Sequence, residues 1–170
     1  LQARWPEHRI LLTGMTPTGR DAGQQVYGDK VIQAYLPYDY PGAVARFFSH
    51  FFPAFGVIME TEIWPNLLAA GKRRKLPIFL ANARLSARSA RGYGRFSALA
   101  GPAFSALAGV AAQTAGDAER IAELGAAAVE VCGNLKFDVT PPADKLALGH
   151  EWRAAIGQRP VWLAASTREG

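Results

Sequence analysis

Short apolar runs of strand length alternate along this chain with stretches whose apolar residues recur at helical spacing, and that alternation leaves few folds open. The runs are Arg9 to Thr13, Val31 to Leu36, Val57 to Glu60, Ile78 to Ala81, Val110 to Gln113, Val129 to Cys132 and Val161 to Ala164. Between two of them, Phe47, Phe48, Phe51 and Phe52 follow Val44 at offsets of three, four, seven and eight, one apolar face of a helix over Pro41 to Phe52. That face is expected in the core. Further helices are expected over Pro65 to Arg74, Ser86 to Phe96, Pro102 to Leu107, Ala115 to Leu124 and Pro142 to Ile156. Strand and helix in alternation predict a parallel, doubly wound α/β sheet.

Size and charge bound what such a sheet serves. A chain of 170 residues, 49% hydrophobic, suffices for one ordinary domain, or for one domain and a fragment of a second. Its net charge of +5 and pI of about 9.7 point to anionic partners: phosphate, sugar acid, lipid headgroup or nucleic acid. A single cysteine, Cys132, excludes an intramolecular disulfide and a cysteine-rich metal site, and is expected to be a small buried side chain. No apolar stretch approaches the roughly 20 residues that span a bilayer. Leu1-Gln2-Ala3-Arg4-Trp5 carries neither an initiator Met nor a signal-peptide pattern, so the chain reads as an excised piece. Pro141-Pro142, a long polar helix and the run at Val161 read as a crossing into another unit.

Several strand ends are loaded with polar residues, where parallel sheets bind their ligands. The run Gly56 to Met59 ends abruptly in Glu60-Thr61-Glu62 and then Trp64-Pro65. Two readings fit: acid delivered to a cleft, or acid favouring the positive end of a helix that starts at Pro65. Gly14-Met15-Thr16-Pro17-Thr18-Gly19-Arg20-Asp21 has the glycine spacing of a nucleoside-triphosphate loop. Arg20 stands where that loop needs Lys, Asp21 where it needs a hydroxyl, and Pro17 removes a backbone donor, so a triphosphatase is rejected. The segment either holds an anion or sugar hydroxyl through its amides and Thr16 or Thr18, or is a capped turn.

Asn82-Ala83-Arg84-Leu85-Ser86 lies past another strand, with Ser86 a good helix cap. Arg84, Arg88, Arg91 and Arg95 are spaced to line one helical face, and with Lys72-Arg73-Arg74-Lys75 they make either a solvated basic surface or one for anionic lipid. Aromatic residues are not interleaved as stacking on bases requires, so nucleic acid falls behind. Gly133-Asn134-Leu135-Lys136-Phe137-Asp138 brings an amide, an ammonium and a carboxylate past the sixth run; Lys136 either meets a substrate anion or pairs with Asp138. His8, His50 and His150 show no ligand spacing, and neither a metal site nor a hydrolase triad can be assembled.

Five blocks in unbroken order carry a family resemblance: Met15 to Gly19, Tyr35 to Asp39, Met59 to Asn66, Leu80 to Ser86 and Gly133 to Asp138. Together they closely resemble the 3-deoxy-D-manno-octulosonic acid (Kdo) transferases of lipopolysaccharide biosynthesis. The resemblance implies a GT-B glycosyltransferase, two Rossmann-like domains across a cleft, with this chain in the N-terminal, acceptor-side half. It implies an acceptor domain over 1–140, a linker and helix over 141–159, and the start of the donor domain over 160–170, with Arg168 where the family usually has His. The implied reaction moves Kdo from CMP-Kdo to a lipid A precursor, lipid IVA, with inversion and without a cofactor or metal, at the cytoplasmic face of the bacterial inner membrane.

Carried over residue by residue, Glu60 and Lys136 match the transition-state stabilisers. Thr16, Thr18, Gly19, Glu62, Asn82, Arg84, Ser86 and Asn134 are the expected substrate-binding residues. The family's proton-accepting Glu belongs to a Gly-Glu motif upstream of Ile10 to Thr13, and its CMP-binding residues lie beyond Gly170. The expectation is that this polypeptide alone is inactive and lacks the base, with a sheet edge exposed. Another GT-B sugar transferase, a phosphotransferase using the Gly14 loop, and a non-enzymatic module for anionic membranes are the competing readings.

Overall fold

Six of the seven apolar runs form strands in a computed structural model that describes residues 2–167. They are β1 (Leu11–Gly14), β2 (Ile32–Tyr35), β3 (Gly56–Met59), β4 (Ile78–Ala83), β5 (Gly109–Ala112) and β6 (Val129–Val131). Every pairing among them is parallel. One ladder joins β1 to β2, with Leu11 opposite Ile32, and a second runs β3-β4-β5-β6, with Val57 opposite Phe79 and Val110 opposite Val129. Parallel neighbours need crossovers, and helices supply them. α1 (Pro17–Tyr27) links β1 to β2, α2 (Pro41–Phe51) leads to β3, and α3 (Pro65–Arg73) leads to β4. α4 (Ala87–Arg95) and α5 (Ser97–Phe104) lead to β5, and α6 (Ala115–Glu123) to β6. The protein is an α/β fold on parallel sheet, Rossmann-like in its alternation.

Local sequence explains the helix starts. Thr16, Ser86 and Thr114 are N-caps whose hydroxyls accept from the amides of Gly19, Ser89 and Asp117, while Pro17, Pro41 and Pro65 occupy first-turn positions where no amide hydrogen is needed. The core collects Val44 and Phe48 of α2, Leu67 and Leu68 of α3, Ile78 and Leu80 of β4, Phe104 of α5, Val110 of β5 and Ile121 of α6. Gly71 lets α3 approach β4, since a Cβ there would meet Ile78 Cδ1 at 2.5 Å. β4 alternates: Ile78 and Leu80 are buried, while Phe79 is 39% exposed beside its register partner Val57 at 41%. That second face is therefore uncovered at these positions, where a doubly wound sheet would be packed on both sides.

The chain divides into two compact units, one up to Gly133 and one from Asn134 on. The second contains a short 3-10 turn, Leu135–Asp138, and α7 (Ala143–Ile156). The seventh run, Val161 to Ala164, forms no strand. A strand exists only through pairing, and these residues have no ladder neighbour among the described residues; Trp162 and Leu163 are exposed. Arg168 lies outside the described residues.

Three further expectations need correction. The helix expected to open at Pro102 begins at Ser97 and carries Pro102 inside, because burial of Ala100, Ala103 and Phe104 outweighs the proline as a start signal. Phe52 is not on the core face of α2: it is the C-cap, in the left-handed region at φ 45°, and 80% exposed. Cys132 is exposed, since it directly follows the short edge strand β6.

Candidate functional site

The carboxyl ends of β3 and β4 lie side by side, and both leave ordinary backbone conformation there. Glu60 has φ 61° and donates its amide to the Ala81 carbonyl at 2.8 Å. Asn82 has φ 52°, beside a register shift in β4, and its carbonyl accepts from Gln113 Nε2 at 3.0 Å. Asparagine tolerates the left-handed region; glutamate does so at a cost. The two loops are joined where the Thr61 hydroxyl donates to the Arg84 carbonyl. Glu62 accepts from Trp64 Nε1 at 3.2 Å, and the Ser86 hydroxyl, besides capping α4, donates to Ser89 Oγ at 3.0 Å. Glu60, Glu62, Asn82, Arg84 and Ser86 thus share one rim, with the carboxylates and the guanidinium exposed.

Two carboxylates from neighbouring elements hold that rim in place. Asp39, which precedes α2, accepts from the amides of Asn66 and Leu67 at 2.9 and 2.8 Å, and its carbonyl accepts from Asn66 Nδ2 at 2.6 Å. It therefore fixes the first turn of α3 just after the acidic loop, where the helix dipole favours an anion. Asp117 of α6 accepts from the Leu85 amide at 2.9 Å, from the Thr114 hydroxyl, and from Arg120 at 3.0 Å. Arg120 in turn donates through Nε to the Leu85 carbonyl at 2.6 Å, so both backbone groups of Leu85 are satisfied by this pair. Burial pushes the Asp117 carboxyl up, but hydrogen bonds from Thr114, Leu85 and Arg120, together with the Arg120 charge, outweigh it and hold the carboxyl below the usual range.

Sequence reasoning missed both clamps. Thr114-x-x-Asp117 is a capping pattern that marks a helix start, yet nothing local says that Asp117 also reaches Leu85, 32 positions away. Asp39 closes the block from Tyr35, which gives it no role, and its partners lie 27 and 28 positions on.

Other expected residues fall elsewhere. Thr16, Thr18 and Gly19 lie at the N-cap and first turn of α1, which follows β1 of the separate two-stranded ladder, and the Thr16 hydroxyl is engaged with the Gly19 amide at 3.1 Å. Gly19 keeps that cap open, since a Cβ would stand 3.1 Å from the Thr16 hydroxyl. Arg84 is in the loop before α4, so only Arg88, Arg91 and Arg95 of the basic series are helical. Arg74 is withdrawn from the basic run: it donates to the Ala45 carbonyl and Ser49 hydroxyl at 3.1 and 2.9 Å and lies over the Phe48 ring. In the second unit, Asn134 Oδ1 caps the 3-10 turn by accepting from the Lys136 amide at 3.0 Å, and Lys136 is exposed. No ion pair joins Lys136 to Asp138 among the described residues.

Two open cavities flank the sheet of the first unit. One, about 370 Å³, is lined by Phe52, Pro53, Arg74 and Lys75 and lies towards the amino ends of β3 and β4. The other, about 440 Å³, is lined by Thr61, Arg84, Ser89, Gly92, Tyr93 and Phe96, at the carboxyl ends where parallel sheets bind ligands. Among the described residues no group of three or more His, Cys, Asp or Glu could hold a metal ion, and no helix is long and apolar enough to cross a membrane.

A parallel α/β domain whose adjacent strand ends carry carboxylate, amide and guanidinium groups beside an open cavity is, as a class, a Rossmann-like ligand-binding domain. Comparison with known sequences narrows this. The family model described as 3-deoxy-D-manno-octulosonic-acid transferase (kdotransferase) matches residues 1–139, and the chain belongs to that family. It is 45% identical over 166 residues to the 3-deoxy-D-manno-octulosonic acid transferase of Bordetella pertussis, covering 95% of this chain and 39% of that protein. It is 38% identical over 173 aligned positions to the transferase of the same name from Haemophilus influenzae, covering 100% of this chain and 40% of that protein. A bifunctional glycosyltransferase/methyltransferase of Fusobacterium nucleatum is 32% identical, covering 95% of this chain and 26% of its own length. The chain thus spans about two-fifths of the first two relatives.

Proposed function

We propose that this chain is the acceptor-side half of a GT-B glycosyltransferase that moves Kdo from CMP-Kdo to lipid IVA, inverting the anomeric centre. The observation that carries the reading is Glu60, an acid held with φ 61° at the carboxyl end of β3 where a glycine would be unstrained. Family membership supports the class of chemistry.

In a direct displacement the acceptor hydroxyl forms the new bond to the anomeric carbon as the bond to the CMP phosphate breaks. The electron pair leaves with CMP, and the hydroxyl proton passes to a general base. Glu60 acts beside the positive charge that develops on the sugar, or orders that base; Lys136 meets the negative charge of the sugar carboxylate or departing phosphate. Exposed Lys72, Arg73 and Lys75 face anionic headgroups at the cytoplasmic side of the inner membrane. Nucleic acid is not a partner in this reading.

The test uses the full-length protein with CMP-Kdo and lipid IVA. Glu60→Gln and Lys136→Ala are each expected to lower kcat about 100-fold or more with the unfolding midpoint retained. Full turnover by either folded variant removes the corresponding role, and transfer from a different sugar nucleotide instead of CMP-Kdo overturns the reaction.

A further inference from the structure

We infer that the groove between the Thr61 and Arg84 loops and α4 binds the phosphate and sugar ring of a phosphorylated glycolipid acceptor. Arg84 takes the phosphate, and Tyr93 and Phe96 take the apolar face of the ring. This rests on the transfer reading above and assigns it an acceptor subsite.

The cavity, about 440 Å³, has the size of a small-molecule site. Its floor is fixed: Thr61 is bonded to the Arg84 carbonyl, and the Asp117–Arg120 pair holds Leu85 next door. Its cation is available, because the Arg84 guanidinium has no hydrogen-bond or ion-pair partner among the described residues. A planar guanidinium suits a phosphate's paired oxygens. The aromatic wall is unequal. Tyr93 is anchored edge-on against Phe104, with ring centroids 5.4 Å apart, whereas Phe96 at the α4–α5 junction is 72% exposed.

The remaining wall is bare backbone. Gly92 lies inside α4, where glycine is costly, yet a Cβ there would meet nothing within 4 Å. Core packing does not call for glycine at that point, and the missing side chain leaves the backbone of α4 open on the groove. Thr61, which lines the groove, stands between Glu60 and Glu62 in the chain, so the acidic loop borders it. Arg88, Arg91 and Arg95 add positive potential along α4, as a phosphorylated acceptor requires.

Gly92→Trp fills the groove without entering the core, and Gly94→Trp places the same bulk on α4 at a position that does not line it. In the full-length protein, Gly92→Trp is expected to raise the KM for lipid IVA tenfold or more with the KM for CMP-Kdo unchanged. Gly94→Trp is expected to move neither. Arg84→Gln is expected to lower the preference for lipid IVA over dephosphorylated lipid IVA about tenfold. The inference is overturned by a folded Gly92→Trp protein whose lipid IVA KM stays within twofold of wild type, or by an Arg84→Gln preference that does not move. Wild-type protein that transfers no Kdo sinks the reaction instead. The groove is then decided by hydrogen exchange: protection of α4 by lipid IVA in wild type and not in Gly92→Trp supports it, and no protection overturns it.

Discussion

Two carboxylates clamp the two loops of the same rim by different means. Asp39 is partly exposed and meets only amide donors, two of them backbone N–H groups at the start of α3, where the helix dipole supplies the positive field. Asp117 is buried, and besides the Leu85 amide and the Thr114 hydroxyl it has a full counter-charge in Arg120. The difference follows from desolvation. A carboxylate in partial contact with water is held by dipoles, but one removed from water needs a cation or the protein loses more in solvation than it gains in geometry.

The two sites are therefore expected to fail unequally. Asp117→Ala is expected to cost about 3 kcal/mol in chemical unfolding, because the Leu85 amide and the Arg120 charge are left without their partner. Asp39→Ala is expected to cost about 1.5 kcal/mol, the scale of a lost helix cap. Equal losses would break the distinction between a cation-paired clamp and a dipole-held one.

Glu60→Gly sharpens the contrast between what holds the rim and what the rim holds. Relief of the positive φ is expected to stabilise the fold by about 1 kcal/mol while transfer by the full-length protein is lost. A destabilised Glu60→Gly protein would mean that the acid supports the fold as the two clamps do.

The finest discrimination comes on acidification. Asp117 has a lowered pKa in the folded state, so its contribution is fully present above the unfolded carboxylate value of about 3.9 and is lost as pH falls through the folded one. Between neutral pH and pH 3 the stability of Asp117→Asn is therefore expected to fall less steeply than that of the wild type. Parallel curves would assign the acid sensitivity to other groups.

Much of the fold was legible because its signals are local. Six strand positions follow from runs of apolar residues, and the start of α4 from Ser86 ahead of a helical pattern. Val161 to Ala164 has the same local signature but no ladder neighbour among the described residues, so composition alone misleads there. Phe52 fits the apolar period of α2 by counting, yet the chain turns left-handed at that residue and the period stops applying.

The candidate site was legible as loaded strand ends and no further. The sequence marks Glu60, Asn82 and Arg84 by type and position, whereas the groove on Gly92, Tyr93 and Phe96 exists only because α4 returns beside the Thr61 loop. Arg74 makes the same point in reverse: in the sequence it is one of four adjacent cations, and in the fold it is tied to Ala45 and Ser49.

The sequence by itself determined the alternation of strand and helix, the parallel pairing it forces, the family, and the chemical groups at each strand end. Apart from the family, which rests on blocks spread along the chain, these depend on residues within a turn or two of one another. Tertiary structure alone decided that Asp39 and Asp117 are clamps, that Thr61 ties one loop to the next, and that Glu60 is held in a left-handed conformation. Each of those depends on a partner from a different strand or helix, in the case of the two clamps 27 to 32 positions away, and hydrogen bonds at such separations leave no periodic trace in the chain.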